Sequence, residues 1–155
     1  MKVVSNSSPL IVLTKIKRID ILKHLFASVF ISEEVYKEVY ISKKEHCPKW
    51  IRVTKVKDHM AVDALDAIVD KGEAETIILA KEMNINHVLM DDRKGFNLAR
   101  KLDLEPLRTT TVLGIAYKNG LLTDIQKELI NLREKGYWVS DFYIEEITKR
   151  FRSIK

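Results

Sequence analysis

Val3-Val4-Ser5-Asn6-Ser7-Ser8-Pro9-Leu10-Ile11 is the stretch on which the reading of this chain turns. A short β-branched run breaks into a small polar turn, and Pro9 suits the first turn of a helix, where its missing N–H costs nothing. A strand that turns directly into a helix sets polar residues at the carboxyl end of the strand. In open α/β sheets that end is the floor on which ligands sit. Two acidic clusters lie far downstream, Gly72-Glu73-Ala74-Glu75 and Asp91-Asp92, and each also falls at an element boundary. Together they outline an acidic pocket in a chain whose net charge is +5.

The 155 residues are read as a single domain spanning 1–155, long enough to bury a sizeable core. A hydrophobic content of 46% with 32% charged residues is that of a globular protein. The basic balance permits polyanion binding without requiring it. One cysteine, Cys47, leaves no internal disulfide framework and suits a reducing cytoplasm, the expected location. No uncharged apolar window is long enough to span a bilayer, so no membrane association is expected.

Outward from the opening, residues 2–5 read as a buried strand, 8–14 and 19–26 as short helices, and 29–31 as a second strand. Ser32 supplies an N-cap to a helix that carries Glu33 and Glu34 in its first turn and directs Val35 and Val39 to the core. Residues 41–48 form a connection, and 50–53 alternate as a strand. Gly72 opens a helix over 73–83, and 87–90 is a buried strand that ends at Asp91-Asp92. A helix over 94–102, a strand over 107–110 and helices from Val112, Asp124 and Ser140 complete the chain. Strands alternating with helices predict an α/β domain, a central parallel sheet with helices on both faces.

Carboxylates at the ends of several parallel strands can converge on one edge of a sheet. Mg²⁺ and Mn²⁺ prefer such oxygen ligands, and a bound ion polarises a phosphate and activates water. Glu38, Glu73, Glu75, Asp91 and Asp92 are distant in sequence and suited to that chemistry, with Asn6 alongside. The four histidines fit no zinc spacing, and neither a Gly-x-Ser-x-Gly turn nor a phosphate-cradling glycine loop is present.

VVSNSSPLIVL at the start, FISEEVYKEV, GEAETIILAKE, HVLMDD, TTTVLGIAYKNGLL and GYWVSDFYIEEI occur in this order along nearly the whole chain. The ordered set resembles the PIN-domain family, the ribonuclease superfamily of the VapC-type toxins, within a prokaryotic PIN-like branch of unknown function. The resemblance implies an α/β/α fold and a Mg²⁺- or Mn²⁺-dependent endoribonuclease acting on single-stranded RNA. It also implies a toxin-like role with an antitoxin partner and a homodimer. Residue by residue, the first acid falls at Asn6, a departure, since an amide ligates through its oxygen but brings no charge. The second matches Glu38. The third is Glu75 if the apolar run Ile77-Ile78-Leu79-Ala80 is aligned and Glu73 if the glycine is. The fourth is Asp91, with Asp92 adjacent. The metal set implied is thus Asn6, Glu38, Glu73 or Glu75, and Asp91. A second departure is Phe96-Asn97, where relatives often carry an arginine after the glycine.

Each residue also has a plainer reading. Asn6 is an ordinary turn residue before a proline, Glu73 and Glu75 complement a helix dipole, and Asp92 is a good N-cap. Ser7, Arg93 and Lys94 are candidate substrate contacts, the last two beside the acidic pair where they can meet a backbone phosphate. Basic residues also gather from Lys149 to Lys155, and Tyr117, Tyr137, Trp138 and Tyr143 offer surfaces for stacking bases. The alternative to a nuclease is a PIN-like domain with weak or lost catalysis that binds RNA or a protein partner.

Overall fold

The computed structural model describes residues 1–153, so the last residue of the basic C-terminal group, Lys155, lies outside the described residues. Five strands form one sheet: β1 (Lys2–Ser5), β2 (Ser28–Ser32), β3 (Ile51–Thr54), β4 (His87–Leu89) and β5 (Glu105–Leu107). All pairs are parallel, and the spatial order is β3-β2-β1-β4-β5. The parallel α/β reading therefore holds.

The pleat explains why the central strands carry apolar residues at consecutive positions. Successive side chains point to opposite faces, and both faces are covered. Val3, Val29, Ile31 and Leu89 enter one core, while Val4, Phe30, Val88 and Met90 enter the other. The first core is roofed by α1 (Ser7–Lys15), α2 (Ile21–Leu25), α3 (Glu33–Tyr36), α7 (Thr109–Lys118), α8 (Ile125–Glu134) and α9 (Asp141–Arg152). The second lies beneath α4 (His59–Asp66), α5 (Lys71–Glu82) and α6 (Arg93–Lys101). From β1 the chain winds outward through β2 to β3, then returns to wind the other way through β4 and β5. The reversal falls between β1 and β4, where such folds open a crevice at the carboxyl ends of their strands. Asn6 sits at that point, its N–H donating to the Leu89 carbonyl at 2.9 Å.

Several helix starts follow their caps as expected. Ser32 accepts from Val35 N, Asp124 from Lys127 N and Ser140 from Tyr143 N. Beyond α3 the chain makes one wide π turn over Lys37–Ile41, closed by Ser42 N donating to the Lys37 carbonyl at 2.9 Å. Val35 and Val39 are both buried, as their spacing required. The turn carries Glu38, and such insertions are frequent at functional sites.

Four elements differ from the sequence reading. The fifth strand is Glu105–Leu107 rather than 107–110, and Thr109-Thr110 open α7 instead. Pro106 is tolerated because β5 lies at the sheet edge, and the two threonines are engaged by groups remote in sequence. α5 begins at Lys71 with Asp70 as its cap, not at Gly72. Helix α4 has no counterpart in the sequence reading; it is short and buries only Val62.

Candidate active site

Four chain segments meet at the carboxyl edge of the sheet: Asn6-Ser7 after β1, Glu38 in the π turn, Asp70 to Glu75 at the start of α5, and Asp91-Asp92 after β4. The first knot ties three of them together. Ser7 Oγ, buried, donates to Glu38 Oε2 at 2.6 Å. Glu38 Oε1 lies where a side chain on residue 72 would be, 2.7 Å from the position of a Cβ, so Gly72 is what lets the carboxylate approach α5. Glu75 Oε1 accepts from Glu34 N at 3.3 Å, which draws it to the same knot. Burial pushes the Glu38 carboxyl up; the Ser7 hydroxyl opposes this, and Asp70, Glu34 and Glu75 add repulsion.

Glu73 belongs to a second knot. It forms a capping box with Asp70, Glu73 N donating to Asp70 Oδ1 at 2.8 Å and Asp70 N to Glu73 Oε2 at 3.3 Å. The spacing Asp70-Lys71-Gly72-Glu73 carried that signal in the sequence. The side chain then lies against Gly95 at the start of α6, where a Cβ would stand 3.3 Å from the Glu73 carboxyl carbon. Burial, followed by repulsion from Asp70 and Asp92, pushes the Glu73 carboxyl up to about 7.

A measurable pH dependence follows. Between the ordinary carboxyl range and about 7, folded protein holds a proton on Glu73 that unfolded chain has released. Stability therefore falls as pH rises through that window and levels off above it. Glu73→Gln keeps an oxygen for the capping box and removes the charge. Between about pH 5 and about pH 8, urea unfolding is expected to show a loss of stability that is smaller in the variant than in the native chain by on the order of 2 kcal/mol, Glu38 and Asp91 contributing to both. Equal slopes in both proteins would show that Glu73 is ionised at no cost.

Asp91 is held on the opposite side of the crevice. Its Oδ1 accepts from Thr109 N at 2.8 Å and from the Tyr137 hydroxyl at 2.9 Å, and its Oδ2 accepts from Thr109 Oγ1 at 2.6 Å. Burial raises this carboxyl, against the pull of those bonds. A carboxylate offers about four lone-pair positions, so Oδ2 keeps one open. Asp92 is exposed and caps α6, its Oδ1 accepting from Lys94 N and Gly95 N at 2.9 and 3.2 Å. Arg93 and Lys94 lie exposed in the first turn of that helix. No local sequence signal joins Thr109 or Tyr137 to Asp91, since each is remote from it in the chain.

Asn6 stands at the N-cap position of α1, yet its side chain makes no capping bond. It is 5% exposed, and its Oδ1 is buried with no hydrogen-bond partner. An orphaned buried acceptor ordinarily costs about 1–3 kcal/mol, which a cation or its bound water would offset. Among the described residues no three Asp, Glu, His or Cys side chains close round one point. Mg²⁺ does not require that, because it is commonly held by one or two carboxylates, retained waters and substrate phosphates. An all-oxygen donor set with an unpartnered amide oxygen fits a hard divalent ion of that kind.

An open cleft of about 620 Å³ borders these acids, lined among others by Ser8, Asp91, Asp92, Arg108, Tyr137 and Trp138. Among the described residues no helix is long and apolar enough to cross a membrane.

A family model described as a PIN domain matches residues 2–153. No curated protein and no solved structure matched the chain.

Proposed function

The chain belongs to the PIN-domain family, and on that premise we propose that it is a divalent-metal-dependent endoribonuclease of the VapC-like class, hydrolysing phosphodiester bonds in single-stranded RNA. The observation that carries this reading is the unpartnered Asn6 Oδ1, buried at the crevice where carboxylates from three other segments gather.

PIN domains generally use divalent metals. Asn6 Oδ1 and one or two of the carboxylates of Glu38, Glu75, Asp91 and Asp92 would hold Mg²⁺ or Mn²⁺ here, the others acting through bound water. When bound, the ion supplies charge to the scissile phosphate and acidity to a water. The protein's own groups do the rest. Ser7 holds Glu38 in place, and Thr109 and Tyr137 fix Asp91. Glu73, whose Oε2 stays in the capping box, leaves Oε1 for proton exchange. The two glutamates of α5 thus take different parts, Glu75 beside Glu38 and Glu73 beside Asp92. Arg93 and Lys94 would meet the flanking backbone. An antitoxin-like partner and a homodimer are the assembly that the family likeness supports.

A second reading draws on the amide at Asn6 and on the absence of a closed cage of acids among the described residues. In it, the chain binds RNA or a protein partner and cuts weakly or not at all. Incubation of a labelled single-stranded RNA pool with Mn²⁺ and with EDTA separates the two. Cutting that needs Mn²⁺, together with a dose-dependent rise in melting temperature, is the expected result. No cutting by the native chain, with activity appearing on Asn6→Asp, would replace the first reading with the second.

A further inference from the structure

The sequence departs from the family pattern at Phe96-Asn97, where an arginine is expected after the glycine. An arginine from another element nevertheless lies against Phe96. The Arg108 guanidinium lies over the Phe96 ring, its central carbon 4.2 Å from the ring centroid. Arg108 stands at the N-cap position of α7 without a capping bond, and its Nη1 donates to the Asp91 carbonyl at 3.1 Å. That is the guanidinium's single hydrogen bond among the described residues. A guanidinium carries five N–H donors in a planar fork, so most of this fork is open. It is fixed by an aromatic face and a carbonyl, and it lines the cleft that also holds Asp91 and Asp92.

Trp138 lines the same cleft and is 83% exposed. An indole left in water loses the burial that normally justifies so large an apolar ring. Four residues on in the chain, Phe142 is 72% exposed. The cleft thus presents an open cationic fork next to two carboxylates and a free aromatic face.

We propose that this cleft is a nucleotide subsite: Arg108 takes a backbone phosphate, Trp138 stacks an adjoining base, and the occupant is single-stranded RNA. The choice of RNA rests on the nuclease reading above; the pairing of phosphate and base with these two side chains rests on the cleft itself. A planar fork suits the bidentate grip on a phosphate, and its charge offsets Asp91 and Asp92, which would otherwise repel the strand. Stacking on an indole accepts any base and requires it unpaired. Phe96 is a positioning residue, since it touches no substrate and acts by holding Arg108.

Fluorescence anisotropy of a labelled oligouridylate in EDTA, across a salt series, tests the proposal. Arg108→Ala is expected to weaken binding and to reduce the slope of log affinity against log salt by about 0.7, one phosphate for a single strand. Arg108→Lys keeps the slope and loses affinity, because an ammonium is not a fork. Trp138→Ala weakens binding about ten-fold with the slope unchanged, and Trp138→Phe recovers part of it. Phe96→Ala raises KM for RNA cleavage more than it lowers kcat, and Phe96→Tyr restores it. If Arg108→Ala does not fold, the Lys variant and the exposed Trp138 carry the test. Affinity and salt slope unmoved by these changes, or equally tight binding of polyglutamate, would overturn the subsite. The two proposals fail separately. Variant-sensitive binding without cutting in Mn²⁺ would sink the nuclease alone, and cutting with variant-insensitive binding would sink the subsite alone.

Discussion

Asp91→Asn combined with Asp92→Asn will leave the fold intact and lower Mn²⁺-dependent RNA cleavage by at least ~10³-fold, several kcal/mol of lost charge stabilisation. The substitutions are chosen so that the scaffold survives. At position 92 the side chain caps α6 through Oδ1, and asparagine caps as well as aspartate. At position 91 an amide oxygen can still accept from Thr109 N and Tyr137, while the amide N–H can donate to the Thr109 hydroxyl, which then turns its proton elsewhere. What disappears is charge. Asp91→Ala is the contrasting control: it strands three donors in a buried setting and is expected to cost about 3–5 kcal/mol of stability. Melting by circular dichroism and cleavage of labelled RNA, measured on the same preparations, tell the two effects apart. A double variant that cuts as fast as the native chain would remove Asp91 and Asp92 from the proposed chemistry.

The second large effect is at Gly114, far from any proposed chemistry. Helices α7 and α9 approach so closely there that a Cβ on residue 114 would overlap the Phe151 ring. Phe151 is itself buried, so the ring cannot move aside without leaving the core. Gly114→Ala gains up to ~1 kcal/mol of helix propensity. Displacing the ring loses about 1.5–3 kcal/mol of burial, and the strain of overpacking adds to that. The net loss is about 2 kcal/mol, a fall of roughly 4–8 °C in melting temperature for a domain of this size. In a Phe151→Ala background the same change is expected to be neutral or stabilising, because the clash has gone. A double-mutant cycle by thermal melting reads this coupling directly. Because α9 carries Tyr143, which meets Thr110 of α7 at 3.2 Å, loosening that contact also slackens the wall beside Asp91.

The parallel sheet was legible because its causes are local. Buried strands on a two-sided sheet must be apolar at consecutive positions, and Val3-Val4, Val29-Phe30-Ile31 and Val88-Leu89-Met90 are. The helix caps at Ser32, Asp92, Asp124 and Ser140 were equally local, since a cap acts within a few residues. Helix α4 and the true bounds of β5 were not, because one is barely buried and the other is decided by its neighbour in the sheet.

The sequence alone determined the set of acids and their order along the chain, which is what chemistry at an oxygen-rich site requires. Tertiary structure decided what each acid does there. The capping box of Glu73 is local and signalled by its spacing from Asp70; packing brought that side chain to Asp92 and turned Glu75 toward α3 and Glu38. The same holds for the Arg108 guanidinium, whose seat on the Phe96 ring depends on two elements meeting. Hydrogen bonds and ring contacts between groups remote in sequence follow from how whole elements pack, and no local pattern encodes that packing.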